Sequence, residues 1–285
     1  MHDNGLMEYY RSFANKQGYL KTSEIPGFKV YADRKYQEHL ETPSHLYFAK
    51  TGQKDKIDAE VLLSQIYKNA GFDTAIYTPI LNSQGARMVA SNNIATATSD
   101  EALKLVEDMR GFSPTQVQKN LGFIPQKTEG SVIEKYFTPS ALTTLIELYG
   151  FDVAAKNYDR NLLNFFVDSS REDGLIDNIG VFDFGQSGCA FTGIVSGIQD
   201  ESKLPYRNVF ADGTTKTRGE ILEQFKTNET VLTYTSPNTI AEKIGSVDVV
   251  ATATDIKQSI GYEINPQYVD FVASSFNTFA NDLVK

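Results

Sequence analysis

Two short motifs constrain this chain more than anything else in it. Lys156-Asn157-Tyr158-Asp159-Arg160-Asn161-Leu162-Leu163-Asn164 sets an aspartate five residues ahead of an asparagine and runs straight into the apolar stretch Phe165-Phe166-Val167. Downstream, the strand-like run Val181-Phe182 ends in Asp183-Phe184-Gly185. Each motif is common by itself. In this order, each beside a predicted strand, they place two carboxylates and a neutral oxygen donor at strand ends. Phosphoryl transfer from ATP asks for little more: a carboxylate to orient the acceptor hydroxyl, and an oxygen ligand and a second carboxylate to hold Mg2+ on the phosphates. Asp159, Asn164 and Asp183 are the candidate catalytic residues, with Asn164 and Asp183 as the metal ligands.

These residues resemble the catalytic loop and the metal-binding Asp-Phe-Gly of protein kinases. The resemblance is nearest to the atypical, HipA-like branch of that fold, whose loop looks like Asn-x-Asp-x-His-x-x-Asn; Asn157, Asp159, Asn161 and Asn164 stand at those places. Phosphoinositide kinases are similar through Asp-Arg-His-x-x-Asn, set against Asp159-Arg160-Asn161-Leu162-Leu163-Asn164. The chain departs from both at Asn161, where they carry histidine; asparagine can donate a hydrogen bond but cannot carry a proton.

Upstream, the pattern predicts strands over 28–32, 45–50, 74–81 and 86–90, with turns at Pro26-Gly27 and Ser83-Gln84-Gly85. Ile57, Val61, Leu62 and Ile66 recur at helical spacing, and Ala70-Gly71 supplies a stop. The kinase resemblance implies a lysine on a strand that reaches the ATP phosphates and pairs with a glutamate on the next helix. Lys50 and Glu60 suit those places. Asp58 is the alternative carboxylate, and Lys54 and Lys56 are the alternative cations. The resemblance also puts a hinge after the amino-terminal sheet, which brings Met88 and Ser91 beside the adenine as candidate cofactor-binding residues with Lys50 and Glu60. No Gly-x-Gly-x-x-Gly loop is present, so the stretch 33–44 must cover the phosphates in another way, or not at all.

From 99 onward the reading turns helical. Ser99 caps a helix that ends at Gly111, and 112–130 is loop-rich. Further helices are expected over 139–149, 217–227, 238–245 and 266–283. Residues 168–178 read as an acidic loop between the runs 165–167 and 179–182, which pair as a hairpin. After Gly185 the pattern suggests a polar loop, with Thr192, Ser196 and Ser202 as possible phosphorylation sites.

Composition narrows the function. A formal charge of −9 argues against a nucleic-acid groove. A single cysteine, Cys189, excludes an internal disulfide, and His2, His39 and His45 lack zinc-ligand spacing. No apolar run approaches a membrane span and the amino terminus shows no export signal, so the expected location is cytoplasmic; an effector injected into a host cell would read the same.

The expected fold is α+β and two-lobed, protein-kinase-like, with residues 1–93 as a strand-rich lobe and 94–285 as a mainly helical one. The expected function is an ATP- and Mg2+-dependent kinase acting on a hydroxyl, foremost Ser or Thr of a protein substrate. A lipid or small-molecule kinase, a pseudokinase that binds nucleotide or a partner, and a nucleotidyl transferase with ATP reversed are the alternatives.

Overall fold

The computed structural model describes residues 6–25, 29–33, 37–41, 46–92, 137–158, 160, 164–168, 175–197, 200, 206 and 216–285. The predicted helix over 99–111, the loop 112–130, the linker beyond Asn92, and Asp159, Asn161 and Ser202 lie outside the described residues. The chain forms two compact units. The first takes Met1–Ile94, Asp183–Thr192 and Asp248–Ala273; the second takes Ala95–Phe182, Gly193–Val247 and Ser274–Lys285. The chain therefore leaves the second unit at Phe182 and enters the first at Asp183.

The first unit is built on a six-stranded sheet. Its strands are β1 (Leu20–Lys21), β2 (Lys29–Asp33), β3 (Gln37–Glu41), β4 (Leu46–Thr51), β6 (Tyr77–Leu81) and β7 (Arg87–Asn92), in the order β1-β6-β7-β4-β3-β2. All neighbours are antiparallel except β1 and β6. A two-residue strand, β5 (Asp73–Thr74), precedes β6, so the single strand expected over 74–81 is broken. A short helix, α1 (Met7–Phe13), precedes β1.

Helix α2 (Lys54–Asn69) follows β4, and every residue from Ile57 to Tyr67 is buried. A helix buried on all sides cannot leave its polar groups to water, so each of its acids must find a partner inside the protein. The strand β3, in a stretch that reads as polar, forms because β2 and β4 satisfy its backbone on both sides.

In the second unit, α3 (Pro139–Ala154) opens on the Thr138 cap and runs five residues past the expected end. β8 (Phe165–Asp168) and β9 (Asn178–Val181) pair as the antiparallel hairpin that the sequence suggests, Phe165 opposite Val181. The segment after Gly185 is not a loop: α4 spans Gly185–Val195. Of the helices that remain, α4 as far as Thr192, α8 (Val249–Ile260) and the first part of α9 (Pro266–Val284) belong to the first unit; α5 (Arg218–Thr227), α6 (Glu229–Tyr234), α7 (Pro237–Gly245) and the end of α9 complete the second. An aromatic chain holds part of this unit together: Tyr149 stacks on Phe225, Phe225 meets Phe279 edge-on, and Phe151 meets Phe276 edge-on.

At Gly150, α3 lies against α7 with no room for a side chain. A Cβ there would sit 2.7 Å from Cγ2 of Ile240, a fully buried and β-branched side chain with little rotamer freedom to yield. Gly150→Ala gains about 1 kcal/mol of helix propensity. Overpacking costs about 1–3 kcal/mol, so we expect net destabilisation. It is read as a lower urea midpoint at unchanged slope.

Candidate active site

The first unit gathers three of the residues singled out in the sequence. Lys50 lies on β4, Glu60 one and a half turns into α2, and Asp183 just before α4. The Lys50 ammonium forms an ion pair with Glu60 and donates to Oδ1 of Asp183 at 2.9 Å. Glu60 is 1% exposed at its side chain, Lys50 30% and Asp183 41%. One end of the constellation is thus sealed and the other open to water.

Burial alone would push the Lys50 ammonium down. The charge of Glu60, then Tyr77 and Asp183, outweighs it and holds Lys50 above the ordinary lysine value. Burial pushes the Glu60 carboxyl up, and the Lys50 charge works against that rise. Tyr77 completes the group. Its ring lies 5.2 Å from the Lys50 nitrogen, and its hydroxyl accepts from the Asp183 N–H at 3.2 Å. Burial raises the Tyr77 hydroxyl above its usual value, so it stays neutral beside two carboxylates.

The Asp-Phe-Gly segment is locked by its backbone. Phe184 N–H donates to Oε2 of Glu60 at 2.8 Å, and its buried ring packs against Tyr67 and Tyr77. Asp183 itself has φ 62°, in the left-handed region that costs a non-glycine residue about 1–2 kcal/mol. Surrounding contacts impose that conformation, and such imposed strain gathers at functional sites.

In the second unit, the described residues that flank the other motif are tied together by a residue for which the sequence suggested no role. Arg160 is fully buried. Its guanidinium donates to both carboxylate oxygens of Asp152, at 2.7 and 2.9 Å, and to the backbone carbonyls of Asn164 (3.0 Å) and Phe182 (2.7 Å). Asp152 also accepts from the Asn157 side chain at 3.0 Å.

Helix α3 ends just before this loop in a Schellman arrangement. Asn157 N–H reaches the Asp152 carbonyl and Lys156 N–H the Val153 carbonyl, with Lys156 at φ 55° where glycine is usual. Asn164 is buried at the start of β8, and its carbonyl also accepts from Phe182 N–H at 3.2 Å. The available signal for Arg160 was an arginine eight residues beyond an acid at a helix end, which is weak until burial is known.

Met88 and Ser91 separate. Strand register puts Lys50 opposite Val89 and Tyr77 opposite Ser91, so Ser91 shares the face of Lys50 and Tyr77. Met88, opposite Thr51 and Ile80, lies on the other face and is fully buried there, a core position. The alternatives to Lys50 and Glu60 also resolve: Lys54 pairs with Asp58 instead, at 2.8 Å.

No family model matches the chain, and no curated protein matches it. Solved structures do. The chain is similar to the proinflammatory kinase CtkA of Helicobacter pylori, with a TM-score of 0.59 and 14% identity, over 89% of this chain and 90% of that one. HipA of Shewanella oneidensis MR-1, solved with HipB and operator DNA, gives a TM-score of 0.45 and 12% identity over 91% of this chain and 66% of that one. A GDP complex of aminoglycoside 2'-phosphotransferase-IIIa gives 0.28 and 11% over 91% and 92%. The first similarity shows the fold: the chain has the two-lobed, protein-kinase-like α+β architecture.

The Arg160 clamp yields a stability prediction. Removing one partner of a buried, bidentate pair strands the other charge, at a cost of about 3–5 kcal/mol. Arg160→Met is expected to lose that much in chemical denaturation, and the further change Asp152→Leu to recover part of it.

Proposed function

We propose that this chain is an ATP- and Mg2+-dependent kinase that transfers the γ-phosphate to a hydroxyl, with Ser or Thr of a protein as acceptor. The observation that carries this reading is the Lys50 ammonium held between Glu60 on α2 and Asp183 of Asp-Phe-Gly. In protein kinases both the strand lysine with its helix glutamate and the Asp-Phe-Gly aspartate must be in place for transfer.

The residues present fit a metal–nucleotide complex. One ammonium against two carboxylates leaves net negative charge, and the more exposed of the two carboxylates is Asp183. A hard divalent cation takes oxygen ligands of this type. In this reading Asp183 and Asn164 hold Mg2+, which would neutralise the phosphates and orient the transferring group. Lys50 supplies a cation to the phosphates, and Glu60 keeps that cation from straying. Asp159 orients the acceptor hydroxyl and takes its proton. Of the two proposed adenine-side residues, Ser91 is the one that shares the Lys50 face of the sheet.

The acceptor class is argued from charge. A lipid kinase works at an anionic surface, which favours a basic face. This chain carries −9, and its segment 168–178 is acidic, so a basic peptide segment is the better complement. Incubation with Mg2+ and ATP labelled on the γ-phosphate or on adenine separates the outcomes: γ-label on protein supports the proposal, and adenine label would mean nucleotidyl transfer. No label on protein, anionic vesicles or small-molecule acceptors would leave a pseudokinase that binds nucleotide or a partner, the reading that Asn161 in place of histidine and the missing glycine loop keep open.

Two substitutions test the roles. Asp183→Asn keeps a residue tolerant of positive φ while removing the charge. It is expected to weaken Mg2+-dependent ATP binding by about tenfold or more, the scale seen even for groups that only orient a metal ligand. A thermal-shift titration reads this, and unchanged affinity in a folded variant overturns the metal assignment. Asp159→Asn is expected to keep ATP affinity and lose turnover by about two orders of magnitude, the scale of a positioned base; single-turnover kinetics with γ-labelled ATP check it.

A further inference from the structure

A second buried acid lies two residues before Glu60 on α2. Asp58 is fully buried and accepts four hydrogen bonds. Lys54 Nζ donates to both its oxygens (2.8 and 3.0 Å), the Tyr262 hydroxyl donates to Oδ1 at 2.6 Å, and Asn265 N–H donates to Oδ2 at 3.1 Å. Lys54 also donates to the Glu263 carbonyl at 3.0 Å and lies over the Tyr262 ring. Every one of these partners outside α2 comes from residues 262–265, the short connection between α8 and α9.

That connection is itself held in place. Gly261, at φ 69°, ends α8, and Asn265 accepts from Gln267 N–H at the start of α9. On its far side, Gly18 approaches so closely that a Cβ would lie 2.3 Å from the Tyr262 nitrogen, and Tyr19 meets Tyr262 edge-on at 5.2 Å. Successive α-helical residues turn by roughly 100°, so positions 58 and 60 point to nearly opposite sides of α2. Glu60 reaches Lys50 and the Phe184 N–H from one side; Asp58 is gripped by the 262–265 connection from the other.

We infer that Asp58 and Tyr262 are positioning residues for the Lys50–Glu60–Asp183 constellation: the 262–265 connection sets the rotation and depth of α2, and through it the place of the Glu60 carboxylate. The purpose of that positioning rests on the kinase reading above, but the positioning itself does not. Lys54 and Asp58, which by sequence compete with Lys50 and Glu60, thus form a separate anchoring pair. Neither touches the reacting groups.

Tyr262→Phe deletes one hydroxyl and keeps the ring packing; Lys54→Gln removes the cation from the same carboxylate at a half-exposed position and serves as the second variant. Two readouts need no nucleotide. Lys50 is protected from amine acylation while Glu60 and Asp183 hold its proton, so its labelling rate reports the ion pair. The exchange rate of the Phe184 amide reports the Glu60 Oε2 contact.

Both rates are expected to rise about tenfold in each variant, the factor that one hydrogen bond to a charged group is worth. Labelling of Lys243, paired with Glu147, and exchange within α3 are expected to stay as in the parent protein. Unchanged Lys50 and Phe184 rates would overturn the inference, as would an equal rise at Lys243 and α3, which would mean general loosening. A parallel Mg-ATP titration of the parent protein reads the kinase proposal separately: failure to bind would sink that proposal while the labelling and exchange rates still decide this one.

Discussion

The burial of Glu60 is the constraint around which the first unit is arranged. A carboxylate sealed from water inside a helix stays ionised only if charge and hydrogen bonds replace its hydration. Lys50 supplies the charge and the Phe184 N–H a hydrogen bond. Meeting that demand joins β4 and α2, which are neighbours in sequence, to the Asp-Phe-Gly segment far along the chain. It also leaves Lys50 shared with Asp183, whose backbone is held at positive φ while its neighbour's ring is fixed against Tyr67 and Tyr77. The side chain open to water is thus carried by a backbone with little freedom, the condition for holding a ligand without reorganisation.

The second unit solves a related problem with a different cation. Arg160 satisfies two carboxylate oxygens and two carbonyls at once because its planar fork presents several donors in fixed directions. Such a group is suited to hold a loop and a strand end in one geometry. Lys50 is a compact charge on a flexible stem and can exchange one oxygen partner for another. Arginine stands where the fold needs permanence, and lysine where the proposed chemistry needs a movable charge.

Much of the architecture was legible. The apolar spacing of α2, the helical patterns of α3, α5, α7 and α9, and the β8–β9 hairpin all follow from periodicity and punctuation that act over a few residues. Other elements were not. Gln37-Glu38-His39-Leu40-Glu41 has the composition of a loop and becomes β3 only because strands flank it on both sides. The helix over Gly185–Val195 follows a motif after which the resemblance implies a loop and is rich in glycine, so no local signal favours it. For α8, Val249, Thr252, Ile256 and Ile260 form a buried stripe with Asp248 as cap and Gly261 as stop; that pattern was present and went unread.

At the candidate site, the residue types and their order were set by sequence alone: a lysine on a strand, acids in the next helix, Asp-Phe-Gly at a strand end. Lys50, Lys54, Lys56, Asp58 and Glu60 lie within eleven residues. The kinase resemblance implied the pair Lys50–Glu60, which the structure contains, and Lys54–Asp58 has the i,i+4 spacing of a helix pair; what else each buried carboxylate would meet was not legible. The tertiary structure decided it by rotation and burial. Two positions on a helix face nearly opposite directions, so Glu60 meets the sheet and Asp58 meets the 262–265 connection, more than two hundred residues further along the chain. Each buried acid has one cation close by in sequence, but the donors that complete its shell, Phe184 N–H for Glu60 and Tyr262 and Asn265 for Asp58, are brought to it only by the folded chain.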